Sequence, residues 1–137
     1  MKWIAKKNID NIIVNNLMTI PLKTNQFTNG GTNVKKLEEF IMNRFKIDEN
    51  KCVIVVTNGS VALHALTSGI EYYEKTQINW ATQAFTFPPS AQSNLSTVKI
   101  IDIDEDGGLD LEQVDNTTGG LIVTNIFGNV VDIDKYE

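Results

Sequence analysis

The tripeptide Asn58-Gly59-Ser60 offers the clearest binding chemistry in this sequence, because it separates a continuously apolar run, Cys52 to Thr57, from a helical pattern that begins at once. Gly59 opens backbone conformations closed to other residues and lets a ligand come close. Ser60 brings a hydroxyl, and the amides of Ser60, Val61 and Ala62 are first-turn donors with no helical acceptor. Free amides at the positive end of a helix dipole suit a phosphate. The same tripeptide equally describes a plain turn with a serine cap, and the residues alone leave both readings open. A P-loop would require a lysine after Gly-x-x-x-x-Gly, and a dinucleotide site would require three spaced glycines. Neither pattern is present here, so any phosphate bound belongs to a smaller ligand.

A second stretch, Gln83 to Asn94, sets Phe85 and Phe87 just after a short strand. An aromatic ring there can cover a planar ligand, with an attraction of roughly 0.5–1.5 kcal/mol beyond simple burial. Phe85 reads as a core residue, whereas for Phe87 core and cover stand even. The single histidine, His64, lies opposite the Ala62-Leu66-Tyr73 stripe of its helix and is expected to be exposed or peripheral rather than a catalytic base. Asp102, Asp104, Glu105 and Asp106 lack the spacing of a calcium loop and read as a solvated strand end and turn, with no metal site expected.

These groups must be carried by regular elements. Val34, Leu37, Phe40, Ile41 and Phe45 recur at three- and four-residue steps, which predicts a helix capped by Thr32 or Asn33. Cys52–Thr57 reads as a strand covered on both faces. Ala62, Leu66, Gly69, Ile70 and Tyr73 form the stripe of a helix running to about Glu74. Short strands are expected over 77–80, 97–103 and 120–127, a turn at Asp106-Gly107-Gly108, a helix start at Pro88-Pro89, a short helix at 110–114 and the beginning of a further helix over 131–137. Strands alternating with helices predict an α/β domain with a mostly parallel sheet and flanking helices.

The 137 residues suit one domain, and a chain of this size can bury roughly 68% of its unfolded surface. With 42% hydrophobic and 21% charged residues, collagen-like, coiled-coil and disordered classes are excluded. A net charge of −5 speaks against nucleic acid as a partner. One cysteine, Cys52, precludes an intramolecular disulfide and a cysteine-based zinc site. No apolar run reaches the ~18 residues of a membrane span, and Asn and Asp interrupt the N-terminal segment, so a cytoplasmic protein without membrane partners is expected.

Four collinear stretches carry a family resemblance. They are Phe27-Thr28-Asn29-Gly30-Gly31 with Leu37-Glu38; Thr57-Asn58-Gly59-Ser60-Val61-Ala62-Leu63; Phe85-Thr86-Phe87-Pro88-Pro89-Ser90; and Ile101-Asp102-Ile103-Asp104 with Ile126-Phe127-Gly128 and Asp132. In this order and spacing the chain resembles the N-terminal part of the DegT/DnrJ/StrS nucleotide-sugar aminotransferases, which are pyridoxal 5'-phosphate (PLP) enzymes of fold type I. The resemblance implies a helical arm over residues 1–24 and, over 25–137, part of the PLP-binding large domain.

It further implies that Gly59, Ser60 and Val61 hold the PLP phosphate, that Phe87 stacks on the pyridine ring, and that Thr28 and Asn29 lie in a segment approaching the sugar. The whole enzyme would pass an amino group, usually from glutamate, to a keto nucleotide sugar, as a homodimer. The Schiff-base lysine and the acid paired to the pyridine nitrogen are expected beyond Glu137, since Lys75 and Lys99 match no such motif; the chain alone is then expected to be inactive. Pro88-Pro89 and Asn125 depart from the family pattern, where small or aliphatic residues and often histidine stand. A sugar dehydratase or regulator on the same scaffold, and a non-catalytic α/β binding module, are the alternatives.

Overall fold

A computed structural model describes residues 8–28 and 30–136, which divide into two units, Met1–Val55 and Val56–Glu137. In the first unit, helix α1 spans Asn11–Thr24 and helix α2 spans Thr32–Phe45. Asp10 caps α1, its carboxylate accepting from the amides of Ile12 at 2.8 Å and Ile13 at 3.4 Å. Pro21 sits inside α1 and has no amide to give to the carbonyl of Leu17. The side-chain amide of Asn33, reaching over from α2, donates to that carbonyl at 2.9 Å and replaces the missing bond. Asn33 is therefore not the expected cap of α2, and neither is Thr32. The cap position is Gly31, which has no side chain to contribute, and both residues lie inside the helix.

The second unit is built on a three-stranded parallel sheet in the order β2-β1-β3, with β1 at Trp80–Gln83, β2 at Lys99–Ile101 and β3 at Gly120–Ile122. Ala81 pairs with Lys99 on one side and Leu121 on the other. Helix α3, Gly59–Glu74, precedes the sheet. Short 3-10 turns at Pro88–Ala91, Ser93–Leu95, Leu111–Gln113, Ile126–Gly128 and Ile133–Tyr136 fill the connections. This is the α/β arrangement with a parallel sheet that the alternating pattern predicts. Its core is small: Ala81, Ile101 and Leu109 are buried, with Val114, Leu121 and Tyr136 packed against them.

Two expectations are corrected. Cys52–Thr57 forms no strand: no ladder partner lies beside it among the described residues, and the Val55 amide donates instead to the Glu38 carboxylate at 3.0 Å. An apolar β-branched run prefers an extended backbone but cannot supply the neighbouring strand that would complete it. On α3 the expected stripe faces outward except at Ile70, with Leu66 63% and Tyr73 81% exposed. The helix packs instead through Thr67, which is buried, and the half-buried Leu63, His64, Ile70 and Glu71. Thr67 tolerates burial because its hydroxyl donates to the Leu63 carbonyl at 3.0 Å, one turn back.

Glu71 joins α3 to the start of β1. Its Oε1 accepts from the indole of Trp80 at 3.0 Å and from the Ile78 amide at 3.2 Å. Trp80 pairs across the sheet with Gly120, whose missing side chain leaves room for the indole; a Cβ there would collide with the six-membered ring. With the indole pinned by Glu71, Gly120→Ala is expected to destabilise the fold by about 1–3 kcal/mol, the usual range for forcing a methyl into packed space. Urea unfolding monitored by tryptophan fluorescence measures it, and an unchanged midpoint would contradict the packing described.

The turn after β2 is organised by Asp104 rather than left as a solvated edge. Its carboxylate accepts from the amides of Asp106 at 3.0 Å and Gly108 at 2.9 Å and pairs with Lys135 at 2.6 Å. The Lys135 ammonium, aided by these amides, holds the Asp104 carboxyl below its ordinary value of 3.8, and Asp104 in turn raises Lys135 above 10.5. Asp115 is likewise held well below the carboxylate range, by Lys99 and by Thr117.

A carboxylate with a lowered folded-state pKa stabilises fully above its unfolded value and loses that contribution as pH falls through the folded one. A lysine with a raised pKa stabilises fully below its unfolded value and loses that contribution as pH rises through the folded one. Stability should thus be flat through neutrality, decline below about pH 4 and decline again above about pH 10.5. In an Asp104→Asn variant the acid-side decline should be shallower, as thermal midpoints across pH would reveal.

Candidate functional site

Asn58 sets up the start of α3. Its extended backbone turns the chain into the helix, its Oδ1 accepts from the Val61 amide at 2.9 Å, and its carbonyl accepts from Ala62 at 3.1 Å. Two of the three amides expected to be free are therefore occupied, and the cap is Asn58 rather than Ser60. The amides of Gly59 and Ser60 remain without an acceptor among the described residues, and so does the Ser60 hydroxyl. Gly59 does not adopt the left-handed conformation that only glycine favours, contrary to its expected role. A Cβ built on it would meet nothing within 4 Å. What its hydrogen provides is open space over two unpaired donors. No carboxylate lies in the first turn to offset the dipole of this 16-residue helix, so its N-terminal end is electropositive.

Phe87 stands 70% exposed at the head of the Pro88–Ala91 turn, which excludes the core reading. Phe85, expected in the core, is 52% exposed and lies edge-tilted against Phe127, the ring centroids 5.8 Å apart. With Thr86, Thr124, Asn125 and Ile126 these three rings line a cavity of about 240 Å³ beyond the C-terminal ends of β1 and β3. Crevices at that end of a parallel sheet are where α/β folds bind ligands. The Thr86 and Thr124 hydroxyls meet at 2.8 Å and tie the two loops together.

Gln83, fully buried at the end of β1, is a residue that sequence reasoning passed over. Its Nε2 donates to the carbonyls of Phe85 and Gly107, both at 3.2 Å, and its Oε1 accepts from the Thr124 amide at 2.8 Å. One side chain thus holds the loops that follow all three strands. The available signal was an amide side chain directly following the Trp80-Ala81-Thr82 run.

His64 is half-buried, not peripheral, and its Nε2 lies 2.9 Å from the Pro89 carbonyl. Asn125 uses its Oδ1 to accept from the Val131 amide at 3.1 Å, so this departure from the family pattern supports the chain locally. Lys99 pairs with Asp115 at 2.8 Å, and Lys75 ends α3, exposed. Thr28 is exposed in the first unit, where with Met18, Pro21, Phe27 and Asn33 it borders a cavity of about 360 Å³; Asn29 lies outside the described residues. Among the described residues no cluster of His, Cys, Asp or Glu is placed to hold a metal ion, and no helix is long and apolar enough to cross a membrane.

Among the described residues one hydrogen bond links α3 to the Phe87 segment, the bond from His64 to Pro89, while neither Gly59 nor Ser60 lines the cavity beside Phe87. Ser60 and His64 are four residues apart on α3 and share a face, and His64 reaches the backbone two residues past Phe87. Comparison with known proteins adds the family. The sequence model of the DegT/DnrJ/EryC1/StrS aminotransferase family matches residues 8–137, nearly the whole chain, and the chain belongs to that family.

Proposed function

We propose that this chain binds PLP, with the phosphate on the amides of Gly59 and Ser60 and the Ser60 hydroxyl, and the ring beneath Phe87. The observation that carries the reading is the pair of unpartnered amides beside a side-chain-free Gly59 at an uncompensated helix N-terminus. A phosphate monoester fits that donor set, and a flat heteroaromatic ring fits a phenylalanine that stands out of the core. Val61 gives its amide to Asn58, so its part is to shape the cradle, with no free donor.

Bound there, PLP supplies the electron sink through which an amino group leaves one carbon skeleton and joins another. The residues of this chain anchor it by its phosphate, keep its ring in one plane and, through Gln83 and the Thr86–Thr124 contact, hold the surrounding loops still. Within the aminotransferase family the reaction we propose is transfer from an amino acid, glutamate, to the keto group of a nucleotide-linked sugar. Thr28 and Asn29 would serve the sugar side. Residues 1–24 act as an arm and 25–137 as part of the cofactor domain, in a cytoplasmic homodimer.

Equilibrium dialysis against PLP, pyridoxal and inorganic phosphate tests the binding. PLP should bind tightest, phosphate should compete with it, and pyridoxal should bind weakly. Phe87→Ala should weaken PLP up to about tenfold while sparing phosphate. Equal binding of pyridoxal and PLP would overturn the phosphate cradle.

A further inference from the structure

We infer that His64 is a positioning residue for this site, the tie that sets the aromatic cover relative to the phosphate-binding end of α3; the inference rests on the cofactor reading above. A carbonyl oxygen can only accept, so the 2.9 Å contact to Pro89 requires the proton on Nε2 of His64. One turn before His64 on the same helix face is Ser60, and two residues before Pro89 is Phe87. A single hydrogen bond therefore joins α3, one turn past the free amides, to the segment that bears the ring.

That segment is stiff enough to transmit the tie. Pro88 and Pro89 fix φ at two successive positions, and the Ser90 amide closes the turn onto the Phe87 carbonyl at 3.0 Å. The Thr86 and Ser90 hydroxyls lie 3.3 Å apart across it. Proline has no amide, so in the Pro88-Pro89 pair only carbonyls can be gripped, and a donor on α3 is the partner that geometry calls for.

A second tie serves as a built-in control. One turn further along α3, the Asn94 side-chain amide donates to the Thr67 hydroxyl at 2.9 Å, anchoring the Ser93–Leu95 turn that packs against the Pro88–Ala91 turn. It fastens the same two parts of the fold but makes no bond to the backbone between Phe87 and Pro89.

The experiment compares His64→Leu, His64→Gln and Asn94→Ala, reading PLP and inorganic phosphate affinity separately along with the thermal midpoint. His64→Leu removes the donor and should weaken PLP about five- to tenfold with phosphate affinity unchanged, because the amides remain while the ring cover is released. His64→Gln keeps a donor and should recover most of the loss. Asn94→Ala should lower the thermal midpoint and leave both affinities alone.

Equal losses of PLP affinity in His64→Leu and Asn94→Ala, or no loss in His64→Leu, would overturn the positioning role while leaving the cofactor reading intact. Unaltered protein that binds neither PLP nor phosphate would overturn both. Imidazole nitrogen NMR checks the tie without any ligand: the proton must reside on Nε2, and an Nδ1–H tautomer would overturn the inference by itself.

Discussion

Gly59→Val combined with Ser60→Ala is expected to raise the dissociation constant for PLP about a hundredfold and to leave the fold intact. Hydrogen bonds to a charged group contribute roughly 1.5–3 kcal/mol each, and every 1.4 kcal/mol is tenfold, so losing the hydroxyl and obstructing two amides reaches that figure. The fold should survive for reasons visible in the structure. A Cβ on Gly59 meets nothing within 4 Å, its backbone is not left-handed, and the Ser60 hydroxyl has no partner among the described residues. The cap that the helix depends on belongs to Asn58. Asn58→Ala would be the wrong probe, since losing a cap costs about 1 kcal/mol of stability and mixes folding with binding. Equilibrium dialysis beside circular dichroism separates the two effects, and undiminished PLP affinity in the folded double variant would place the phosphate elsewhere.

Gln83→Leu is expected to destabilise the sheet unit by on the order of 3 kcal/mol, although leucine matches glutamine closely in size. The loss is polar. The carbonyls of Phe85 and Gly107 and the amide of Thr124 would each lose a partner at the end of a fully buried side chain. A buried group left unsatisfied costs roughly 1–3 kcal/mol, and water can reach the outer ones. Because those groups belong to the loops after all three strands, the damage should be felt first in the cavity lined by Phe85, Phe87 and Phe127. Amide hydrogen exchange should show Thr124 losing protection by far more than the strand residue Ile122. Uniform loss across the sheet, or none, would contradict the placing of Gln83 as the common anchor.

How far these features could be read from sequence depends on what each one needs. Helix α3 was legible to its last residue because the apolar period needs only local geometry. Its packing face was not: Ala62, Leu66 and Tyr73 form the more apolar stripe, yet Thr67 and His64 face inward because their polar atoms find the Leu63 and Pro89 carbonyls. Periodicity identifies a face but not the partner that will cover it. Cys52–Thr57 failed for the same reason on a larger scale, since a strand exists only when another lies beside it. The electropositive turn at Gly59 and Ser60 was legible because free first-turn amides follow from any helix start. Which amides stay free was not, because that depended on Asn58 turning its own side chain into the cap. Gln83 was hidden by type: a buried amide among strand residues declares itself only when three loops converge on it.

The most direct measurement of the central claim is a backbone amide NMR titration with PLP, following Gly59 and Ser60 against Val61 and Ala62. Large, saturable downfield shifts are expected at Gly59 and Ser60, reproduced in part by inorganic phosphate. Val61 and Ala62, already bonded to Asn58, should move little. Saturation with PLP that leaves Gly59 and Ser60 unmoved while other amides shift would contradict it.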